Sequence, residues 1–177
     1  MKKAVLISIK PEWVAKILNG EKTIEVRKTA PKCELPIEVY IYCTKGQEEL
    51  YEAFKPLGRK APYQTKPKNQ HLTGGILKEG FHLNGKVVAK FTLRKVEKIT
   101  KRTIWGELEV YGEHTDFIEL DRKSCLKQDE IADYMGRNYH AYAWHIEDLF
   151  IFDEPKEING RAPQSWQYIE VENTEGE

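Results

Sequence analysis

The spacing of apolar and polar positions predicts a chain of short strands with one helix early and one late. Residues 4–10, AVLISIK, read as a strand buried on both faces near its start. Pro11 then opens a helix, PEWVAKILNG, because proline suits the first helical position and Gly20 suits the residue just past the end. Val14, Ile17 and Leu18 share one face at helical spacing and pack inward, while Trp13 and Lys16 lie beside or opposite that stripe. TIEVRK at 23–28 alternates: Ile24 and Val26 point one way, and Thr23, Glu25 and Arg27 form a polar face. IEVYIYC at 37–43 and KVVAKFTLRKVEKI at 86–99 continue the strand pattern, with a further short strand around Leu108–Tyr111. LKQDEIADYM at 126–135 predicts the second helix, with Ile131, Tyr134 and Met135 inward and Gly136 at its end. HAYAWHIEDLFIFDEP gives one long strand or a bent pair stopped at Pro155, and SWQYIEV the last strand.

Between these elements, residues 55–86 hold Pro56, Gly58, Pro62, Pro67, Gly74, Gly75, Gly80 and Gly85 and show little periodicity, which predicts a long loop or insertion. Several strands, two short helices and no regular strand–helix alternation exclude a doubly wound parallel sheet. The fold class expected is α+β, mostly β: a mixed β-barrel flanked by two or more short helices.

Length and composition narrow the setting. The 177 residues suit one domain over 1–170, followed by a disordered acidic tail, VENTEGE, at 171–177. The opening MKKAVLISIKPEW is interrupted by Lys10 and Pro11 before it reaches the apolar length of a secretory signal, and no stretch is long enough to cross a bilayer. Cys33, Cys43 and Cys125 have neither disulfide-framework nor zinc spacing, and His140 and His145 lack ligand partners at a familiar spacing. No glycine-rich phosphate loop or dinucleotide fingerprint is present. The expectation is a soluble cytoplasmic protein without metal, cofactor or membrane partner.

Net charge is zero, with 28 basic and 28 acidic side chains, so a whole-protein basic field is absent. The charges are unevenly spread. Lys55, Arg59, Lys60, Lys66, Lys68 and Lys78 follow one another with no acid among them. With Tyr63 in their midst, Arg59, Lys60, Lys66 and Lys68 form a candidate nucleic-acid patch, or else a solvated lysine-rich loop.

The stretch Ser8 to Lys28, SIKPEWVAKILNGEKTIEVRK, resembles the signature of the ASCH domain, a branch of the PUA-like superfamily: a strand, a helix ending in NGxKT or similar, then a strand carrying E-x-R. YAWHIEDL at 142–149 and RAPQSWQYIE at 161–170 resemble segments of bacterial and phage-type ASCH proteins. The resemblance implies a β-barrel with a cleft between the first helix and the barrel that binds RNA or a nucleobase-like ligand.

The residue chemistry of such a cleft reads as follows. Glu25 and Arg27 are neighbours on one strand face. A carboxylate accepts from an exocyclic amine or ring N–H of a base, and Arg27 contacts a phosphate or base edge or holds Glu25. Lys10 and Lys22 flank the helix and suit a backbone phosphate. The plainer reading of Glu25 and Arg27 is a salt bridge on an exposed strand, and that of Trp13 is half-buried core. Trp144 packs in the barrel while Tyr142 or His145 reaches the cleft, or the reverse, and Ser165 and Trp166 stand near the last strand where they could close it. The expected partner is RNA, another single-stranded nucleic acid, or a nucleobase-like small molecule.

The alternative is a small hydrolase. Some ASCH-like proteins resemble nucleoside amidohydrolases with a lysine, a threonine three residues later and a distant glutamate. Lys22 matches, but the third residue on is Glu25 and the nearest threonine is Thr23. A ribonuclease using Lys22 and Glu25 as acid and base is the other enzymatic form.

Overall fold

The computed structural model describes residues 1–52, 63–68 and 83–172. Its contacts divide the chain into two units, one built from Met1–Gly20, Ile37–Thr92 and Asp148–Glu177, the other from Glu21–Pro36 and Leu93–Glu147. The chain thus leaves the first unit after Gly20, returns at Ile37, leaves again after Thr92, and comes back at Asp148. Asp148 has a positive φ of 48°.

The first unit is organised on a five-stranded sheet in the order β10-β6-β3-β1-β11. Its strands are β1 (Lys2–Ile9), β3 (Ile37–Cys43), β6 (Val87–Leu93), β10 (Glu147–Lys156) and β11 (Trp166–Val171). β1 runs parallel to β3 and antiparallel to β11, so it lies between partners, and its last six residues are buried. That placement explains the continuous apolar run where an edge strand would alternate. Helix α1 (Pro11–Leu18) follows at once: Lys10 is extended, as a residue before proline should be, and Gly20 stops the helix at φ 76°. α1 buries Pro11, Val14, Ala15, Ile17 and Leu18, and packs on a small ladder of β4 (Glu48–Glu52) and β5 (Tyr63–Pro67). Asn19 clamps that ladder, its side chain accepting from the Tyr63 N–H at 2.6 Å and donating to the Tyr63 carbonyl at 2.8 Å.

The second unit holds a four-stranded antiparallel sheet, β2-β9-β7-β8, made of β2 (Ile24–Arg27), β7 (Val96–Ile104), β8 (Glu107–Gly112) and β9 (His140–His145). Helices α2 (Phe117–Ser124) and α3 (Gln128–Met135) bury Leu120, Ile131 and Met135 against Ile24, Val26, Ile99, Val110, Ala141 and Ala143. β7 and β8 join through Trp105 and Gly106, both at positive φ, as a two-residue hairpin requires. Asp116 caps α2, its carboxylate accepting from the Glu119 N–H at 2.8 Å. Asp116→Ala should therefore cost about 1 kcal/mol of unfolding free energy in a urea titration. A loss within a few tenths would show that the cap contributes nothing.

The mostly β, α+β architecture expected from the sequence is the one observed, with local differences. β5 forms inside the segment read as a loop over 55–86, held by pairing with β4 that periodicity does not register. The run 86–99 breaks at Arg94 and Lys95, and β6 and β7 enter different sheets. HAYAWHIEDLFIFDEP divides in the same way into β9 and β10, and the second strand continues through Pro155 to Lys156. α2 is an additional helix. In α3 the inward residues are Ile131, Ala132 and Met135, whereas Tyr134 is 39% exposed. Ala132 takes the inward place in the apolar cluster, and the Tyr134 ring lies beside Lys28 instead. Among the described residues no helix is long and apolar enough to cross a membrane.

Candidate functional site

β2 is the edge strand of the second unit's sheet, four residues long and buried throughout. Its alternation places Ile24 and Val26 in the core beneath the helices. Glu25 and Arg27 point to the opposite face, where the register sets Glu25 against Trp144 and Arg27 against Tyr142. β7 continues that face with Val96 opposite Trp144 and Lys98 opposite Tyr142. Opposed residues on antiparallel strands share a face, so Glu25, Arg27, Trp144, Tyr142 and Lys98 lie on one side of the sheet.

The ionic centre of this face is Glu25. One carboxylate oxygen lies 2.9 Å from Arg27 Nη2, the other 3.3 Å from Lys22 Nζ, and no side chain of the three is more than 10% exposed. Lys22 also donates to the Ser124 carbonyl at 2.6 Å. Ser124 ends α2, so the ammonium sits at the negative pole of that helix. Trp144 is fully buried and its indole N–H donates to the Thr29 carbonyl at 3.2 Å. Tyr134 lies close enough to feel both Glu25 and Arg27; burial raises its phenol pKa, Glu25 adds to the rise and Arg27 opposes it. Lys28 Nζ stands 5.2 Å from the centre of the same ring.

Two cations around one carboxylate leave a net positive charge, to which Lys98 adds. The arrangement offers a fixed acceptor for an amine or ring N–H beside a guanidinium fork for a phosphate or carbonyl. The pairing of Glu25 with Arg27 anticipated from the strand is present, but on a buried face. Thr23 is exposed while Lys22 and Glu25 are buried.

The remaining candidates belong to the first unit or lie outside the described residues. Lys10 and Trp13 belong to the first unit. Lys10 is exposed and its carbonyl accepts from the N–H groups of Trp13 and Val14. Trp13 is half-buried, with Lys16 Nζ 5.7 Å from its ring centre. The Ser165 carbonyl accepts from the Ser8 N–H at 2.9 Å, and Trp166 opposes Ile7 and meets Tyr168 edge-on. Of the basic patch, Arg59 and Lys60 lie outside the described residues. Lys66 pairs with Glu49 at 3.4 Å and Lys68 donates to the Lys45 carbonyl at 2.7 Å. Tyr63 is half-buried in the first unit, where burial, with Glu52 and Asp153 nearby, pushes its phenol up to about 12.

Sequence reading missed a second polar cluster in the same unit. Glu97, 1% exposed, accepts from the N–H groups of His114 (2.5 Å) and Thr115 (2.7 Å) and from the Thr115 hydroxyl (2.8 Å). Lys95 Nζ and His145 Nε2 each lie 3.2 Å from Oε2, the oxygen that accepts from the Thr115 hydroxyl. Burial alone would raise this carboxyl, but the converging donors outweigh it and hold Glu97 at about 2. Burial pushes His145 below its ordinary value, against the pull of Glu97. Gly112 is required alongside, because a side chain there would collide with the Glu97 carboxylate. The available signal was parity: Glu97 stands two residues before Ile99, a core residue of the same strand. Among the described residues no group of three His, Cys, Asp or Glu side chains is placed to hold a metal ion.

No family model matches the chain, and no curated protein sequence matches it. Solved structures do. A crystal structure of ASCH from Zymomonas mobilis aligns with a TM-score of 0.58 at 18% identity, covering 94% of this chain and 87% of that one. Two single-substitution variants from the same organism, a Tyr→Phe and a Ser→Ala, each give a TM-score of 0.56 at 17% identity. The first covers 96% of this chain and 91% of its own, the second 94% and 88%. Likeness at this level establishes the fold, which is that of the ASCH proteins.

Proposed function

We propose that this chain is a nucleic-acid-binding module that takes RNA, another single strand or a nucleobase-like ligand at the Lys22–Glu25–Arg27 cluster, without chemistry of its own. The observation that carries the reading is the burial of three charges, two on the short edge strand and Lys22 just before it. Apolar side chains of similar volume would hold that strand at no loss of stability, since a buried ion pair barely offsets its own desolvation. A charge cluster buried without gain in stability is therefore better explained by a role in binding. The cluster supplies what an unpaired base asks for: an acceptor for an exocyclic amine, and a planar fork for a carbonyl or phosphate. The ASCH fold suits the same role, and a cytoplasmic setting belongs to this reading.

The test is titration of the intrinsic tryptophan fluorescence with short single-stranded RNA, DNA and free nucleosides at two salt concentrations. Arg27→Lys keeps the charge and removes the bidentate fork. Saturable binding that weakens with salt and falls about tenfold or more in the variant is expected, in line with one bidentate contact. Binding unchanged by Arg27→Lys, or absent from all three ligand classes, would end the proposal. Turnover of an acylated nucleoside or cleavage of the RNA would replace it with the hydrolytic reading.

A further inference from the structure

In the first unit, one face of the five-stranded sheet carries a series of aromatic side chains. Phe150 and Phe152, two apart on β10, meet edge-to-face with ring centres 5.7 Å apart. Phe152 stacks with Tyr40 of β3 at 6.2 Å and an interplanar angle of 22°. Phe152 and Tyr40 are partly buried on the apolar cluster of Leu6, Tyr42 and Val87, whereas Phe150, at the outer end, is 55% exposed. Lysines line the series: Lys156 Nζ stands 4.3 Å from the Phe152 ring centre, and Lys90 Nζ, paired with Glu38 at 2.9 Å, stands 5.9 Å from Tyr40 and 6.0 Å from Phe150.

The series ends in a groove of about 400 Å³. Tyr40, Leu6, Val87 and Ile169 are apolar parts of its lining, and Gln167, Asn159, Lys156 and Arg161 are polar ones. Its two acids are Glu157, which pairs with Lys86 at 3.2 Å, and Glu170. An apolar cavity of this size with a few convergent polar groups has the form of a small-ligand site. The amides of Asn159 and Gln167 can each donate and accept, as the edge of a base requires, and Arg161 and Lys156 supply charge for a phosphate.

We infer that this sheet face is a stacking platform for a single-stranded nucleic acid, one base lying on Phe150 and a neighbouring base entering the groove beside Tyr40. An exposed ring backed by further rings, with cations beside it, is what a strand with unstacked bases needs: Phe150 offers the open π-face, Phe152 and Tyr40 hold it, and Lys156 meets backbone phosphate. An exposed Phe150 on its own would be ordinary. Its continuity with two more rings, two lysines over them and a polar-rimmed groove is what selects a strand as occupant. The surface belongs to the first unit and the Lys22–Glu25–Arg27 site to the second, and the inference rests on the nucleic-acid reading only for the class of ligand.

The test uses the full chain and fluorescein-labelled oligouridylate and oligothymidylate, followed by anisotropy. Phe150→Leu keeps an apolar side chain and removes the ring; Phe150→Tyr keeps the ring. Stacking predicts affinity about ten- to a hundredfold weaker for Phe150→Leu and unchanged for Phe150→Tyr, equally on RNA and DNA. Arg161→Ala, an exposed change, should reduce the salt slope by about one. Wild-type affinity in Phe150→Leu would overturn the platform. If Arg27→Lys weakens binding in the same assay while Phe150→Leu does not, the platform falls and the Glu25 site stands. The converse pattern removes the Glu25 site and leaves the platform.

Discussion

Glu25→Ala will lower the unfolding free energy by about 3–5 kcal/mol, the largest effect expected of any single polar substitution in this protein. The substitution leaves Lys22 and Arg27 buried without the carboxylate that lies 3.3 Å and 2.9 Å from them. Each then bears a desolvation cost that the Ser124 carbonyl can offset for Lys22 only in part. A companion variant separates stability from function: Lys22→Met, Glu25→Leu and Arg27→Met together replace the cluster with apolar volume. That triple variant should be as stable as the wild type or more so, and should bind no ligand at the site, because nothing in it can recognise a base edge or phosphate. Urea unfolding at neutral pH reads both. A loss under about 1 kcal/mol for Glu25→Ala would mean that water reaches the cluster and screens it.

The second large effect concerns acid. Glu97 sits at about 2 in the folded protein against an ordinary 4.5. A depressed carboxyl contributes stability that is fully present above its unfolded value. That stability is lost as the pH falls from about 4.5 through about 2. The contribution at neutral pH is on the order of 3 kcal/mol, since each pH unit of difference corresponds to about 1.4 kcal/mol. Glu97→Gln should remove about 2–3 kcal/mol at pH 7 and flatten the stability profile across that acid window. His145 acts in a higher window. Its folded pKa lies below its ordinary value, so protonation opposes folding as the pH drops below about 6.5. Lys95 and Lys123 oppose its protonation and Glu97 favours it, so this limb should steepen in Glu97→Gln. Thermal melts between pH 2 and 8 on wild type and Glu97→Gln would show both limbs. An unchanged acid limb would mean that other carboxylates carry the transition.

Both effects arise in places that a linear reading of the chain treats differently. The strand Ile24–Arg27 is plain in the alternation, and so is the adjacency of Glu25 and Arg27. Alternation assigns residues to two faces but does not say what covers the second one, so the polar face reads as solvent-exposed. Lys22 is joined to Glu25 by a loop position before the strand and to Ser124 by a contact across 102 residues of chain. No periodicity carries that information. Glu97 is the reverse case: its parity with Ile99 marks it as inward, yet its partners come from the loop at His114–Thr115 and from the end of β9.

What the sequence determined by itself is what local physics controls. Pro11 and Gly20 bound the first helix, the apolar stripe of α1 selects its packing face, and the alternation of β2 separates Ile24 and Val26 from Glu25 and Arg27. The mostly β class follows from strand-length runs without helical alternation, and the E-x-R strand and its flanking pieces point to the ASCH fold that the solved structures share. Tertiary structure alone decided which strands pair. Continuous sequence at 86–99 and at 140–155 is shared between two sheets, and β5 exists because β4 is beside it. It also decided which charges are buried and which aromatic rings of β3 and β10 come into line. Strand pairing and charge burial depend on chain segments far apart in sequence, and the energy of each contact is set by a neighbour that the local pattern does not name.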